Sequence, residues 1–196
     1  MTSRDYILER VKKNKPELSL LPNIPSFNRV DVELVSSFKE VLNFVGGRAI
    51  ELTSDANLNE EILKIYPDMK LICTNVDGLT IGNVDLSQIN DPHDLSSMDL
   101  VVLKGSFGVA ENAAVWIPEL HLSHRALPFI TQHMAFVVKK SDIVWNMHEA
   151  YQRIESANSL AGYGVFISGP SKTADIEQSL VIGAHGSRSL VVFLVN

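Results

Sequence analysis

Cysteine is almost absent from this chain, and that scarcity excludes several chemistries at once. Cys73 is the only one among 196 residues. No intramolecular disulfide can form, and no cysteine-ligated iron–sulfur cluster can be built from this chain alone. Long apolar runs are missing too: no uninterrupted stretch approaches the ~18 residues of a membrane-spanning helix. The first residues, Met1 to Tyr6, are polar and lack the apolar segment of a signal peptide. A cytoplasmic protein without a membrane span is therefore expected. Positive charge is short as well. Lys and Arg number 17 against 23 Asp and Glu, a net charge of −6, whereas a general nucleic-acid binder needs a basic face.

What is present suits an ordinary globular protein: 45% hydrophobic and 20% charged residues. A chain of this length can bury most of its apolar surface in one domain. Thr2 or Ser3 can cap a first helix carrying Ile7, Leu8 and Val11. Three prolines between residues 16 and 30 then read as an extended arm. The organisation expected is a helix and arm over 1–30 and a single α/β domain over 31–196.

Asp31 is expected to open a helix in which Leu34, Phe38, Val41, Leu42 and Val45 recur at helical spacing, with Gly46-Gly47 as its stop. Compact apolar runs at 48–52, 69–74, 99–103, 134–138, 165–168 and 190–195 have strand length. Helices between them are expected to start at Ser54 or Asp55 and at Ser141. Short, nearly continuous apolar strands separated by amphipathic helices predict a sheet buried on both faces. The fold class is thus α/β, a three-layer α/β/α arrangement with a mainly parallel central sheet. Residues 75–98 and 104–133 show no clear period, and long irregular segments in a compact domain are often functional.

The densest group of candidate site residues follows the apolar run 165–168. It reads Ser168-Gly169-Pro170-Ser171-Lys172-Thr173-Ala174-Asp175-Ile176-Glu177. The functional reading is an anion pocket at the carboxyl end of a strand, where ligands bind in open α/β sheets. Ser171 and Thr173 offer hydroxyls, Lys172 a charge, and the amides of a following short helix a positive dipole end. The simpler reading needs only a Gly-Pro turn, one capping hydroxyl, and Asp175 and Glu177 complementing the helix dipole. His185 and Gly186, in Gly183-Ala184-His185-Gly186, precede the last apolar run. The histidine could donate to a ligand or carry a proton, or it could hydrogen-bond the last helical carbonyls. Glu111 lies in a loop after the 99–103 run and is the candidate nucleophile or base; a solvated or capping carboxylate is the alternative. His121 and His124, three apart, could share a helix face, but no third ligand has a characteristic spacing, so no metal is expected. Cys73 is expected to be a buried small hydrophobe.

These motifs resemble those of the lactate-utilisation LUD-domain family. The decapeptide 168–177, the Gly-x-His-Gly that follows, and the closing apolar strand carry the likeness. Arg125 and His133 match the family's Arg-rich helix and the His before a strand. Ala110 and Glu111 match an Ala-Glu-Thr-Gly-Thr element, from which Asn112, Ala113 and Ala114 depart. The resemblance covers most of the chain from about Ser37 onward. It implies an α/β/α fold like that of the sugar-phosphate isomerase and CoA-transferase superfamily, and a part in oxidising L-lactate to pyruvate. It also implies separate partner proteins carrying the iron–sulfur clusters, with no cofactor in this chain and a small carboxylate or phosphate as ligand. Two alternatives stand beside it: a free-standing transferase or hydrolase on a small acyl or sugar-acid substrate using Glu111, and a non-catalytic assembly or regulatory module.

Overall fold

The strands form from short, nearly continuous apolar runs, and most fall where the sequence places them. The structure, a computed structural model, describes residues 2–20, 22–25, 27, 33–157, 162–174, 180–183 and 185–196. The chain divides into two units, Met1–Val30 and Asp31–Asn196. In the first, helix α1 (Ser3–Lys13) starts at a capping box in which Thr2 and Asp5 satisfy each other's backbone amides. None of its residues is buried.

The second unit begins with α2 (Leu34–Phe44), capped by the carboxylate of Glu33 on the Ser36 amide; Asp31 lies outside the described residues. Phe38 and Leu42 are fully buried along one face of α2. After β1 (Arg48–Glu51) comes α3 (Leu58–Ile65), capped by Asn57 rather than by Ser54 or Asp55. Strands β2 (Ile72–Thr74) and β3 (Leu100–Lys104) follow, and residues between them form short 3-10 turns capped by Asp85 and Asp91. The 104–133 segment resolves into β4 (Phe107–Val109), β5 (Val115–Pro118) and the single-turn helix α4 (Leu127–Ile130). Next are β6 (His133–Lys139), β7 (Ile143–Val144) and α5 (Met147–Ser156). A helix opening at Ser141 does not form. Ile143 and Val144 are β-branched and pair with Gly108 and Val109, so Asn146 caps the helix instead.

The central sheet has the order β1-β11-β6-β3-β2, where β11 is Ser189–Val195, and every neighbouring pair is parallel. Side chains alternate across it. Val101, Leu103, Met134, Phe136, Val138, Leu190, Val192 and Leu194 face one core with Phe38 and Leu42 of α2. Leu100, Val102, Ala135, Val137, Val191 and Phe193 face the other, with Ile62 and Tyr66 on the α3 side. Both faces are dry, which is why these strands read as continuous apolar runs rather than as alternating ones. The protein is thus an α/β structure with a mainly parallel central sheet between two outer layers.

One outer layer departs from the expected helices. Strands β7, β4, β5 and β8 (Gly164–Ile167) form a second sheet, in which β5 runs antiparallel to both β4 and β8. Val115, Ile117 and Ile167 face inward toward the parallel sheet. Phe107, Val109, Trp116 and Phe166 face outward onto Ala150 and Met147 of α5. Trp116, a candidate pocket wall from its place near Glu111, packs on Phe166 with ring centroids 4.5 Å apart. The apolar run 165–168 is therefore a strand, but of this second sheet.

The expected helix does not start at 172–174. Lys172–Ala174 forms β9 and pairs antiparallel with β10, Leu180–Ile182. Pairing with the β-branched Val181 and Ile182 overrides the run of capping hydroxyls followed by acidic residues that resembled a helix start. Asp175 and Glu177 lie outside the described residues.

Candidate functional site

Strand β8 ends at Ile167, and the chain then turns through the 168–172 loop toward the start of the parallel strands. The Ser171 amide donates to the Ser187 carbonyl just before β11, and the Arg188 amide donates to Gln132 just before β6. A side chain at Gly46, ahead of β1, would touch the end of Lys172 at 3.5 Å. The loop thus lies at the amino edge of the parallel sheet, not at the carboxyl edge expected from the sequence. The reason is topological: β8 belongs to the mixed sheet, so its carboxyl end need not coincide with that of the parallel strands.

Gly169 makes this packing possible. It holds φ at +82°, and a Cβ there would sit 2.9 Å from the Val45 carbonyl oxygen at the end of α2. Gly186 is similarly tight, since its Cβ would come within 3.0 Å of that of Ser171. The loop's backbone is engaged inside the protein: the Ser171 carbonyl accepts from Gly183, and β9 is laddered to β10. The Ser171 amide, bonded to the Ser187 carbonyl, is therefore not left for an anion. The side chains are the groups that distinguish this site.

Those side chains line a depression of about 320 Å³ formed with Ser168, Gly169, Ser171, Lys172, Ser187 and Phe129. Lys172 is exposed and makes no ion pair among the described residues. Ser168 donates to the Asn112 carbonyl oxygen at 2.5 Å, tying the loop to the β4–β5 turn. Ser187 was not singled out in the sequence. It is 2% exposed, and its hydroxyl is buried with no hydrogen-bond partner. A buried unsatisfied hydroxyl costs on the order of 1–3 kcal/mol, and this one lies in the wall of a depression that carries a cation. A serine two residues before an apolar strand gives no sequence signal of that kind.

The other candidates sit elsewhere. Glu111 lies on the turn that Ser168 holds, but its carboxylate accepts from the Met147 amide at 3.0 Å, at the start of α5. It is placed as an N-terminal cap. Thr173 pairs with Val181 within the hairpin, and His185 is exposed beyond it. His133 opens β6 on the opposite, α3-side face of the sheet. Its Nδ1 is 2.8 Å from the Ser189 hydroxyl, and its ring is 5.6 Å from that of Tyr66, whose hydroxyl donates to the Met134 carbonyl. Burial first, and the nearby Arg188 charge second, hold the His133 pKa below its ordinary 6.5, while Asp99 opposes them. Arg125 is locked to Glu119 at 2.6 Å and lies 4.8 Å over the Tyr163 ring. Cys73 is fully buried, and burial pushes its thiol pKa up to about 12.

A second opening, of about 410 Å³, lies at the carboxyl edge of the parallel sheet. It is walled by Val76, Val137 and Val195, with Lys104, His121 and Lys139 around it. Lys104 and Lys139 end β3 and β6, and Val195 ends β11. Among the described residues no cluster of His, Cys, Asp and Glu is placed to hold a metal ion, and no helix is long and apolar enough to cross a membrane.

A parallel sheet flanked by a mixed sheet, with a Ser-Gly-Pro-Ser-Lys loop folded onto its amino edge, defines an α/β class that known proteins share. The LUD domain family model matches residues 93–195, more than half of the sequence, and the chain belongs to that family. Several of its relatives are named lactate utilization protein C. Lactate utilization protein C of Geobacillus sp. (strain WCH70) is 26% identical over 98% of this chain and 79% of its own length. Lactate utilization protein C of Bacillus pumilus (strain SAFR-032) is 31% identical over 48% of this chain, a match spanning 41% of that protein. A crystal structure of a DUF162 family protein from Deinococcus radiodurans superimposes with a TM-score of 0.67 at 17% identity, covering 84% of this chain and 97% of that one. The structural likeness is one of fold.

Proposed function

We propose that this chain acts as a lactate utilization protein C, binding a small carboxylate in the amino-edge depression and working beside separate iron–sulfur proteins in the oxidation of L-lactate to pyruvate. The observation that carries the binding half is the orphaned hydroxyl of Ser187 in the depression that Lys172 borders. A carboxylate satisfies both groups: one oxygen accepts from the hydroxyl, and the anion offsets the ammonium. Lysine serves as a compact point charge there.

The relatives' name supports a part in lactate utilisation, and the redox step is assigned in this proposal to separate iron–sulfur proteins. Oxidising a 2-hydroxy acid to a 2-oxo acid releases two electrons and two protons. The only thiol is buried, and its raised pKa keeps it from acting as a thiolate. Assigning electron transfer to partner proteins is compatible with a chain whose one thiol is buried.

Calorimetric titration of L-lactate and pyruvate tests the binding half. Lys172→Ala is expected to lose about 1.5–3 kcal/mol of binding, the worth of a hydrogen bond to a charged group. That is roughly ten- to a hundredfold in affinity, and higher salt should weaken the original protein more than the variant. Unchanged affinity in Lys172→Ala would mean that the loop is architectural.

A further inference from the structure

The carboxyl-edge opening is built from different parts than the depression. Strands β3, β6 and β11 end around it, and the chain leaving β2 supplies Val76. This is the edge of a parallel sheet at which open α/β proteins hold ligands. Its walls of Val76, Val137 and Val195 are apolar, whereas two of the groups at its mouth are lysines.

Neither lysine is firmly neutralised. Lys139 makes no ion pair among the described residues. Lys104 reaches Asp77 only at 3.9 Å, and the Asp77 side chain is 98% exposed; such surface pairs contribute little. The other lining carboxylate, Asp142, is already engaged by Arg153 at 2.5 Å. With Asp142 paired to Arg153, two lysines face one exposed carboxylate, Asp77, at this opening.

His121 adds a directional group. Its Nδ1 lies 3.0 Å from the Lys104 carbonyl oxygen. A carbonyl can only accept, so Nδ1 carries the hydrogen, and on the neutral ring Nε2 is an acceptor, available to a donor such as a lysine ammonium. Asn75 fixes the same corner, accepting from the Lys104 amide at 2.9 Å and donating to the His121 carbonyl at 2.5 Å. Lysine and imidazole are thus presented from a braced piece of backbone.

We infer that this cleft is a second binding site, for a carboxylate that carries an apolar chain. The cleft volume of about 410 Å³ falls in the range of clefts that hold drug-sized ligands, more than a three-carbon acid fills. The apolar walls take the chain, and Lys104 and Lys139 flank the carboxylate. A phosphate head is the poorer match, because no backbone-amide cradle or Arg fork is among the lining groups. The inference is independent of lactate binding at the amino edge.

Hexanoate, acetate and inorganic phosphate, titrated calorimetrically against the full chain, test it. The original protein is expected to bind hexanoate at least about tenfold more tightly than acetate, because the added methylenes reach the valine walls. The double variant Lys104→Ala/Lys139→Ala should lose about tenfold or more in hexanoate affinity, while Lys172→Ala leaves it unchanged. Thermal melts of each variant establish that it is folded. The inference is overturned if hexanoate does not bind below about 10 mM, if acetate or phosphate binds as tightly, or if the folded double variant binds hexanoate as the original does. Loss of hexanoate binding in Lys172→Ala alone would place that ligand at the amino edge and overturn it equally.

Discussion

The two edges of the parallel sheet carry openings of opposite construction. At the amino edge, the loop after β8 folds back with its backbone engaged, leaving a lysine and one unsatisfied hydroxyl for a ligand. At the carboxyl edge, the strands stop and expose apolar ends ringed by two lysines and a histidine. The openings also lie on opposite faces, since Met134 of the depression and Val137 of the cleft alternate along β6. A strand's carboxyl end is thus a guide to a ligand site only once its sheet is known. That membership is a long-range property.

The severest way to break this comparison is to loosen the sheet between the two openings. Phe136 packs on the depression side and Phe193 on the cleft side, and both are fully buried. Replacing either with Ala should cost about 3–5 kcal/mol in denaturant unfolding, for lost burial plus the cavity left behind. Each variant should still unfold in a single transition. Two resolved transitions, or a negligible cost at one position, would mean that the faces do not form one cooperative body.

A sharper cut uses Ser187. Removing a buried hydroxyl that lacks a partner removes its desolvation penalty, so Ser187→Ala should stabilise the ligand-free protein by roughly 1 kcal/mol. The same change should weaken pyruvate binding. Stability rising while affinity falls is the mark of a group kept for a ligand. A destabilised Ser187→Ala protein would instead reveal a structural partner for that hydroxyl.

The smallest effect separates the faces at the amino edge. His133 has a folded-state pKa below 6.5, so the unfolded chain takes up the proton more readily. Its neutral form supports the fold fully above pH 6.5, and that support falls away as pH drops through this value toward the lowered folded pKa. His133→Gln should flatten the dependence of stability on pH in that window, above the carboxylate range, and leave acid binding on the other face unchanged. An unaltered profile would mean that His133 titrates as it does in the unfolded chain.

Much of the fold was legible because its signals are local. The runs at 134–138 and 190–195 are apolar at every position, as is 99–103 beyond Asp99, and they became the buried parallel strands β6, β11 and β3. Five of the six expected strands joined one sheet. The sixth, at 165–168, was a strand whose partner was β5, and nothing within the run distinguishes an antiparallel partner from a parallel one. The same limit misread 172–174, where a capping pattern gave way to pairing with Leu180–Ile182. The site was less legible. Lys172, Ser171 and Gly169 came together as a surface. Ser187, Lys139 and His121 matter through burial and position, which only folding assigns.

The most direct measurement is a crystal structure of the chain grown with pyruvate. The expected result is the acid at the amino edge, its carboxylate within hydrogen-bond distance of the Ser187 hydroxyl and beside the Lys172 ammonium. Pyruvate bound between Lys104 and Lys139, with none in the amino-edge depression, would contradict the account.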